Sequence, residues 1–190
     1  MFDYNTKDWA KGLAQIRPTM ERMIWSELAI FGRPSGFLDL GCGDGWSVRT
    51  ARVNGIDPAI GIELSQACVD VGMYYADIRQ HDLTQPLQIP YQFDLINCLE
   101  VAEHLPESAA DTLVRTIKWH ARNWVVWTAA VPGQGGDGHI NCQPHEYWKQ
   151  KFSEVNMHFA DETTALVKQA WLVCTSNKIW YPANVQVFHA

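Results

Sequence analysis

The sequence predicts an α/β fold with a doubly wound, mostly parallel sheet that carries helices on both faces. Short apolar segments alternate with helical segments from residue 37 to residue 128, which is the pattern of β-α-β units. The first apolar segment, Phe37–Leu40, is followed by glycines on alternate positions, Gly41, Gly43 and Gly45. This arrangement is typical of a tight turn between a strand and a helix that approaches a ligand closely.

Residues 9–31 are predicted to form a helix, because apolar side chains recur there at spacings of three or four. Pro18 lies inside this stretch, so it either kinks the helix or divides it in two. We assign residues 1–33 to an N-terminal helical cap and residues 34–190 to the core. Residues 1–190 are expected to form one domain, since 190 residues suffice to bury a core of their own.

The first half of the core contains three predicted strands. After the strand at residues 37–40, a helix is expected over residues 46–53, and a second strand at residues 59–62. Ser65 can cap a helix that runs to about Tyr74. The third strand, at residues 77–81, has the weakest pattern because most of its side chains are polar.

The second half begins with a strongly apolar strand at residues 93–99. Pro106 opens a helix that runs to about Ala121, since proline is tolerated in a first turn. A fifth strand at residues 124–128 precedes a glycine-rich loop, residues 131–144. A helix over residues 145–155 and a final strand at residues 184–188 complete the prediction.

Acidic side chains lie at or near the ends of four predicted strands. These are Asp39, Glu63, Asp82 and Glu100. Right-handed crossovers bring the carboxyl ends of parallel strands to one edge of a sheet, so a shared site is expected there. The dinucleotide fingerprint G-x-G-x-x-G would need glycine at position 46, where this chain has Trp46. Because Asp44 adds a second carboxylate beside Asp39, the negative charge of the loop favours a cationic, nucleoside-bearing ligand over a pyrophosphate.

The segment Asp39-x-Gly41-x-Gly43-x-Gly45 resembles the first motif of class I S-adenosylmethionine-dependent methyltransferases. Three later segments resemble the family at similar intervals: Ile60-Gly-Ile-Glu63, His81-Asp82-Leu83 and Phe93-Asp-Leu-Ile-Asn-Cys-Leu-Glu100. The resemblance implies a Rossmann-like sheet of seven strands whose last strand is antiparallel, supplied by residues 181–188. It also implies S-adenosyl-L-methionine as the cofactor, with S-adenosyl-L-homocysteine as the product.

The resemblance also carries residue roles. Glu63 would bind the ribose hydroxyls, Asp82 would meet the adenine amino group, and Asp39 would help orient the methionine amino group. Trp46 would either lie near the sulfonium or pack in the core. The residues predicted to bind the cofactor are Asp39, Gly41, Cys42, Gly43, Asp44, Gly45, Trp46, Glu63, Leu64, Asp82, Leu83, Glu100, Val101 and His104.

Two histidines are candidates for a catalytic base. His139 lies in the glycine-rich loop after the fifth strand, where loops of such sheets hold acceptor-side groups, and His145 begins the next helix. A hydroxyl acceptor needs a general base, so we favour His139, with a loop-fixing hydrogen bond as its alternative role. No metal site is expected on His139, His145 and Asp137, because their spacing matches no ligand pattern.

Composition narrows the function classes. The net charge of −6 argues against a nucleic-acid partner. Five cysteines without a C-x-x-C pair indicate a reducing, cytoplasmic environment, and the N-terminal residues lack the pattern of a secretion signal. No apolar run approaches the roughly 18 residues that a membrane span needs.

The sequence therefore predicts methyl transfer to an oxygen of a small-molecule or sugar-type acceptor. The tail, with Trp127-Thr-Ala-Ala-Val-Pro-Gly-Gln134, resembles a small phage and bacterial subgroup of the family. A non-catalytic cofactor-binding scaffold and an NAD-dependent oxidoreductase remain as alternatives.

Overall fold

The computed structural model describes residue 6 and residues 12–175 and 180–190. The strands are β1 (Phe37–Leu40), β2 (Ala59–Glu63), β3 (Asp77–Gln80), β4 (Phe93–Leu99), β5 (Ala121–Thr128), β6 (His158–Phe159) and β7 (Gln186–His189). The helices are α1 (Arg17–Phe31), α2 (Trp46–Val53), α3 (Gln66–Gly72), α4 (Ala110–His120), α5 (His145–Glu154), α6 (Asp161–Cys174) and α7 (Trp180–Asn184). Two 3₁₀ turns, Ala102–His104 and Glu107–Ala109, join β4 to α4.

All seven strands form one sheet in the order β3-β2-β1-β4-β5-β7-β6. Strands β1 to β5 run parallel, whereas β7 pairs antiparallel with both β5 and β6. The predicted fold class is therefore confirmed, including the antiparallel last strand. Leu40, at the end of β1, pairs with Ile62 and Cys98 in the register of the sheet. The carboxyl ends of the three central strands thus meet at one edge.

Helices cover both faces of the sheet. Leu38 and Leu40 of β1 belong to the core that α4 and α5 complete, while Phe37 belongs to the core shared with α1, α2 and α6. This division follows from the alternation of side chains along a strand. Asp39 is two residues after Phe37, so it faces the α1 and α2 side. None of the described helices is long and apolar enough to cross a membrane.

Two predicted helices begin differently in the structure. Residues 14–16 form a turn, and α1 starts at Arg17 with Pro18 in its first turn, so the predicted helix is divided there. Residues 9–11 of that prediction lie outside the described residues. The segment after Pro106 first forms a 3₁₀ turn and becomes α-helical at Ala110.

The prediction of a strand from residue 181 onward is wrong for its first half. Trp180–Asn184 are helical, and β7 begins only at Gln186. Pro182 explains the difference, because it has no N–H to give to a strand ladder and is tolerated in the first turn of a helix. Tyr181 and Asn184, three residues apart, are both buried on the inner side of α7.

Candidate functional site

The glycine loop between β1 and α2 lies at the carboxyl edge of the sheet. Gly41, Gly43 and Gly45 all adopt left-handed backbone angles, with φ of 74°, 55° and 75°, which glycine reaches without the steric cost that a Cβ brings. A Cβ on Gly41 would also collide with Val101. The Gly41 N–H donates to the Ile62 carbonyl at 2.8 Å. The loop therefore follows the end of β2 closely and has little room for larger residues.

Glu63, the last residue of β2, is held by two backbone donors. Its Oε2 accepts from the Gly43 N–H at 2.9 Å, and its Oε1 accepts from the Ser65 N–H at 2.8 Å. Burial raises the pKa of this carboxyl, although the N–H donors oppose the shift by stabilising the anion. Each carboxylate oxygen can accept a further hydrogen bond. Glu63 is thus fixed in place and keeps acceptor capacity for the hydroxyls of a ligand.

Asp39 and Cys42 lie beside Glu63. Asp39 is only 5% exposed, and burial, followed by the charge of Glu63, raises the pKa of its carboxyl to about 7, while a hydrogen bond from Ser47 opposes that rise. The Cys42 sulfur packs against Gly61 of β2, where a Cβ would collide with it. Burial and the neighbouring acids raise the pKa of the Cys42 thiol, so it lies there as a neutral, packed group.

The second acid of the loop, Asp44, forms an ion pair with Arg17. The Arg17 Nε donates to Asp44 Oδ2 at 2.7 Å, and Arg17 Nη2 donates to the Tyr75 hydroxyl at 3.0 Å. That hydroxyl donates to the Asp44 carbonyl at 2.7 Å. Because Asp44 is 4% exposed and already paired, it fixes the loop to α1 and adds little negative charge for a ligand.

Trp46 is held by cations of the protein itself. The guanidinium carbons of Arg17 and Arg49 lie 4.8 and 4.5 Å from its ring centroid, and Tyr75 packs edge-on at 5.6 Å. These contacts correspond to cation–π attraction. The ring is therefore engaged by side chains of α1 and α2 and by Tyr75.

The residues that follow β2 and β3 form the outer part of the edge. Asp82 comes two residues after β3, and its Oδ1 accepts from the Thr84 N–H at 2.9 Å, which fixes the turn. Leu83 is buried, whereas Leu64 is 59% exposed. The Gln80 side chain donates to the Leu64 carbonyl at 3.1 Å. Leu64 thus exposes an apolar side chain directly after Glu63, and Asp82 lies in the turn after β3.

Glu100, directly after β4, has a strained backbone. Its φ of 55° is left-handed, a conformation that costs a residue with a side chain of order 1–3 kcal/mol and clusters at functional sites. Its N–H donates to the Thr128 hydroxyl at 2.9 Å. Its carboxylate accepts from Gln134 at 3.4 Å and from Asn184 at 3.3 Å. Gln134 of the loop and Asn184 of α7 therefore hold this acid in position.

His104 and His139 meet above the ends of β4 and β5. Their ring centroids are 4.9 Å apart, and His104 Nδ1 lies 3.3 Å from the Gly138 carbonyl oxygen. His145 lies elsewhere, where its own carbonyl accepts from the Gln186 side chain at 3.2 Å. Burial lowers the pKa of the His145 imidazole. The two candidate bases are therefore not equivalent, and His104 belongs with His139.

A buried acid below the glycine loop was not anticipated from the sequence. Glu27 of α1 is 0% exposed and accepts from the Asn97 side chain of β4 at 2.9 Å. Burial, opposed by Asn97 and aided by the charge of Asp39, raises the pKa of Glu27 to about 8. The available signal was its position four residues after the core residue Met23.

Comparison with known proteins finds one matching family and several solved structures of low sequence identity. The sequence profile of a family described as a methyltransferase domain matches residues 13–123. The ubiquinone biosynthesis O-methyltransferase of Pseudomonas syringae pv. tomato is 33% identical over 109 residues, which cover 53% of this chain and 45% of that protein. The chain thus matches about half the length of such curated relatives.

Solved structures share the fold at low identity. An O-methyltransferase of a trans-AT polyketide multienzyme from Brevibacillus brevis, solved with S-adenosyl-L-homocysteine, has a TM-score of 0.63 and 16% identity over 93% of this chain and 72% of that one. A sugar N-methyltransferase from Streptoalloteichus sp. has a TM-score of 0.61 and 16% identity over 73% of this chain and 79% of that one. These similarities support the architecture described above.

Proposed function

Since this chain belongs to the methyltransferase-domain family, we propose that it transfers the methyl group of S-adenosyl-L-methionine to an oxygen of a small-molecule or sugar-type acceptor. One observation carries the proposal. The loop of left-handed glycines, at residues 41–45, donates the Gly43 N–H to the Glu63 carboxylate at the carboxyl edge of a doubly wound sheet. Ligands of such folds bind at this edge, where strand order reverses around β1 and β4.

The residues at the edge match the chemistry of the cofactor. Glu63 retains acceptor capacity for two ribose hydroxyls, and Leu64 offers an exposed apolar surface to a purine ring. Asp82 follows on the same edge, where its second carboxylate oxygen can accept from an amino group. Asp39 and Glu100 flank the loop, so an amino-acid end with a positive charge would meet two acids there.

When bound, the cofactor supplies a methyl group on a positively charged sulfur, with a neutral leaving group. The protein has to hold an acceptor in line with that methyl carbon, and such alignment can supply about 7–11 kcal/mol of the barrier reduction. We place the acceptor beside His139, because the loop after β5 brings this imidazole to the same edge as Glu100. There it can receive the proton of a hydroxyl.

The acceptor class follows from charge and from the relatives. A chain with a net charge of −6 is poorly suited to a polyanionic backbone, which favours a small molecule. Two of the similar proteins are named as O-methyltransferases and one as a sugar N-methyltransferase. An amine on a sugar is therefore the competing acceptor, and it would need no base before the methyl group is transferred.

We further propose that the chain is a member of the small phage and bacterial subgroup that its tail resembles, and that it works in a reducing cytoplasm. All five cysteines are free thiols, which suits such an environment. The NAD-dependent alternative is disfavoured by the ring contacts of Trp46, which occupies the position of the third fingerprint glycine.

Calorimetry and a turnover assay test the proposal together. We expect S-adenosyl-L-methionine and S-adenosyl-L-homocysteine to bind and NAD not to bind. Product release is then measured on matched panels of sugar hydroxyls, phenols and amino sugars. His139→Ala is expected to reduce kcat at least tenfold while changing the affinity for S-adenosyl-L-homocysteine less than twofold. Exclusive NAD binding would indicate the oxidoreductase, and tight cofactor binding without turnover on any panel would indicate the scaffold.

A further inference from the structure

One cluster of side chains, which shares only His104 with the predicted cofactor contacts, has the composition of a metal site. Ligand atoms of Glu103, His104 and His139 all lie within 4.8 Å of one another. Glu103 and His104 belong to the 3₁₀ turn after β4, and His139 to the loop after β5. The backbone N–H groups of Ile140 and Asn141 donate to the Glu103 carbonyl at 2.8 and 3.0 Å. The turn after β4 and the loop after β5 are thus tied together at this point.

Glu103 has a buried carboxyl group without an aligned hydrogen-bond donor. The residue is 0% exposed, and neither carboxylate oxygen has an aligned hydrogen-bond donor among residues 12–175 and 180–190. Burial, followed by the charge of Glu100, raises the pKa of the Glu103 carboxyl to about 8, although the backbone N–H groups of Glu103 and Ala130 oppose this rise. A buried, unsatisfied carboxylate is costly, and fixed buried charges are ordinarily paired or bound to metals.

The histidines are oriented as metal ligands are. A carbonyl oxygen only accepts, so the contact with Gly138 puts the His104 proton on Nδ1 and leaves Nε2 as the nitrogen with a lone pair. Metal-binding histidines ordinarily donate their second ring nitrogen to such a carbonyl. The His139 ring lies directly over Gly136, where a Cβ would collide with its Cε1 and Nε2. The glycine therefore makes room for this ring position.

From this arrangement we propose that Glu103, His104 and His139 bind one divalent first-row transition-metal ion of the zinc or manganese kind. One carboxylate and two imidazoles form a mixed oxygen and nitrogen donor set that suits these ions better than Mg²⁺ or Ca²⁺. Ligand atoms on one such ion lie about 3–3.5 Å apart, so the side chains have to close by up to about 1.5 Å from the present separations of at most 4.8 Å. The sequence argued only against a site on His139, His145 and Asp137, which is a different set.

Three protein ligands leave a coordination position open, as in metal sites that act on substrates. If the proposed methyl transfer is correct, that position would take the acceptor oxygen, whose hydroxyl loses its proton to solvent more readily on an ion. The oxygen then bonds to the methyl carbon as the carbon–sulfur bond breaks with its electron pair on sulfur. His139 would then act as a ligand, and the open position would select oxygen over a protonated amine.

The test uses the whole chain, freed of metal with a chelator and desalted. Co²⁺ titration followed by visible absorption, and Zn²⁺ titration followed by calorimetry, should show one equivalent bound, with Mg²⁺ binding far more weakly. His139→Ala and Glu103→Gln are expected to weaken Zn²⁺ binding at least tenfold. His158→Ala, at an exposed position in β6, is the matched control and should bind like the unchanged chain.

Binding of S-adenosyl-L-homocysteine by each variant, measured without metal, shows that the fold survives and keeps this test separate from the proposed function. Retained cofactor binding with lost Zn²⁺ binding supports the metal site. The proposal is overturned if the unchanged chain binds no Co²⁺ or Zn²⁺. It is also overturned if Glu103→Gln binds Zn²⁺ unchanged, because Glu103 would then be a neutral acid that shares a proton with Glu100.

Discussion

At the scale of single residues, Glu63 combines a structural and a binding task. Its carboxylate fixes the glycine loop through the Gly43 N–H and the start of α3 through the Ser65 N–H. A side chain held by two backbone donors loses little freedom when a ligand binds, so its hydrogen bonds to ligand hydroxyls cost little entropy. The same two contacts explain why an acid is needed at the end of β2.

We predict that Glu63→Ala weakens the binding of S-adenosyl-L-homocysteine at least tenfold, or about 1.4 kcal/mol. The change removes the acceptors for the ribose and also releases the loop at Gly43. Calorimetry measures the affinity. Glu162→Ala, at an exposed position in α6, serves as the control and should bind normally. Equal affinities of the two variants would contradict the assignment of Glu63.

The buried Glu27 predicts a dependence of stability on pH. Its pKa in the folded chain is about 8, above the ordinary value of 4.5, so the folded state holds more protons than the unfolded state between these values. The free energy of unfolding should therefore fall as pH rises from about 5 to 8, by at most about 1.4 kcal/mol per pH unit from this group.

Glu27→Gln tests this dependence, because an amide stays neutral and can still accept from Asn97. We expect the variant to match the unchanged chain near pH 5 and to be more stable at pH 8, by an amount that grows through this range. Thermal or urea unfolding at several pH values measures the difference. A difference that stays constant with pH would show that the Glu27 carboxyl does not titrate as described.

At the scale of elements, the predicted and the missed segments have different physical origins. β1, α2 and the glycine loop are marked locally, because three left-handed backbone angles require glycine whatever lies around them. The helix α6 was missed, although Thr164, Val167 and Trp171 follow helical spacing. Apolar residues such as Leu172 also lie on its exposed side. The sequence of α6 therefore does not show a clear one-sided apolar pattern.

Trp171 should carry much of the packing of α6. It is fully buried in the core shared with α1 and packs edge-on against Tyr181 at 6.4 Å. We predict that Trp171→Ala lowers the free energy of unfolding by about 3–5 kcal/mol. Leu172→Ala, on the exposed side of the same helix, should change it by less than about 0.5 kcal/mol. Urea denaturation measures both, and similar costs would mean that α6 is not packed as described.

The site shows the same contrast between local and distant signals. Asp39, Glu63 and the glycines were found because their motif lies within one β-α-β unit. Glu103 was given no role of its own, because its burial depends on the loop after β5 folding back to donate to its carbonyl. Asn184 likewise reaches Glu100 only because α7 forms where a strand was predicted. The residue spacing within one segment cannot predict contacts between residues so far apart in the sequence.

At the scale of the whole molecule, the parallel half of the sheet is what the alternation of strands and helices could predict. Right-handed crossovers determine how β1 to β5 must lie once their order is known. The arrangement of the other two strands depends on how α6 and α7 pack, and no local pattern specifies that. The acids of the site all lie in the parallel half of the sheet, which could be predicted. The loop with His139 links this half to the antiparallel strands.

The position of β7 has a consequence for how the molecule is made. It follows β6 in the sequence but lies between β6 and β5 in the sheet. The outermost strand, β6, therefore leaves the ribosome before β7, its only pairing partner in the described sheet. The edge of β5 stays unpaired until residues 186–189 emerge. During that interval the nascent polypeptide exposes unpaired backbone to its neighbours, and we expect aggregation to begin there rather than from the finished molecule.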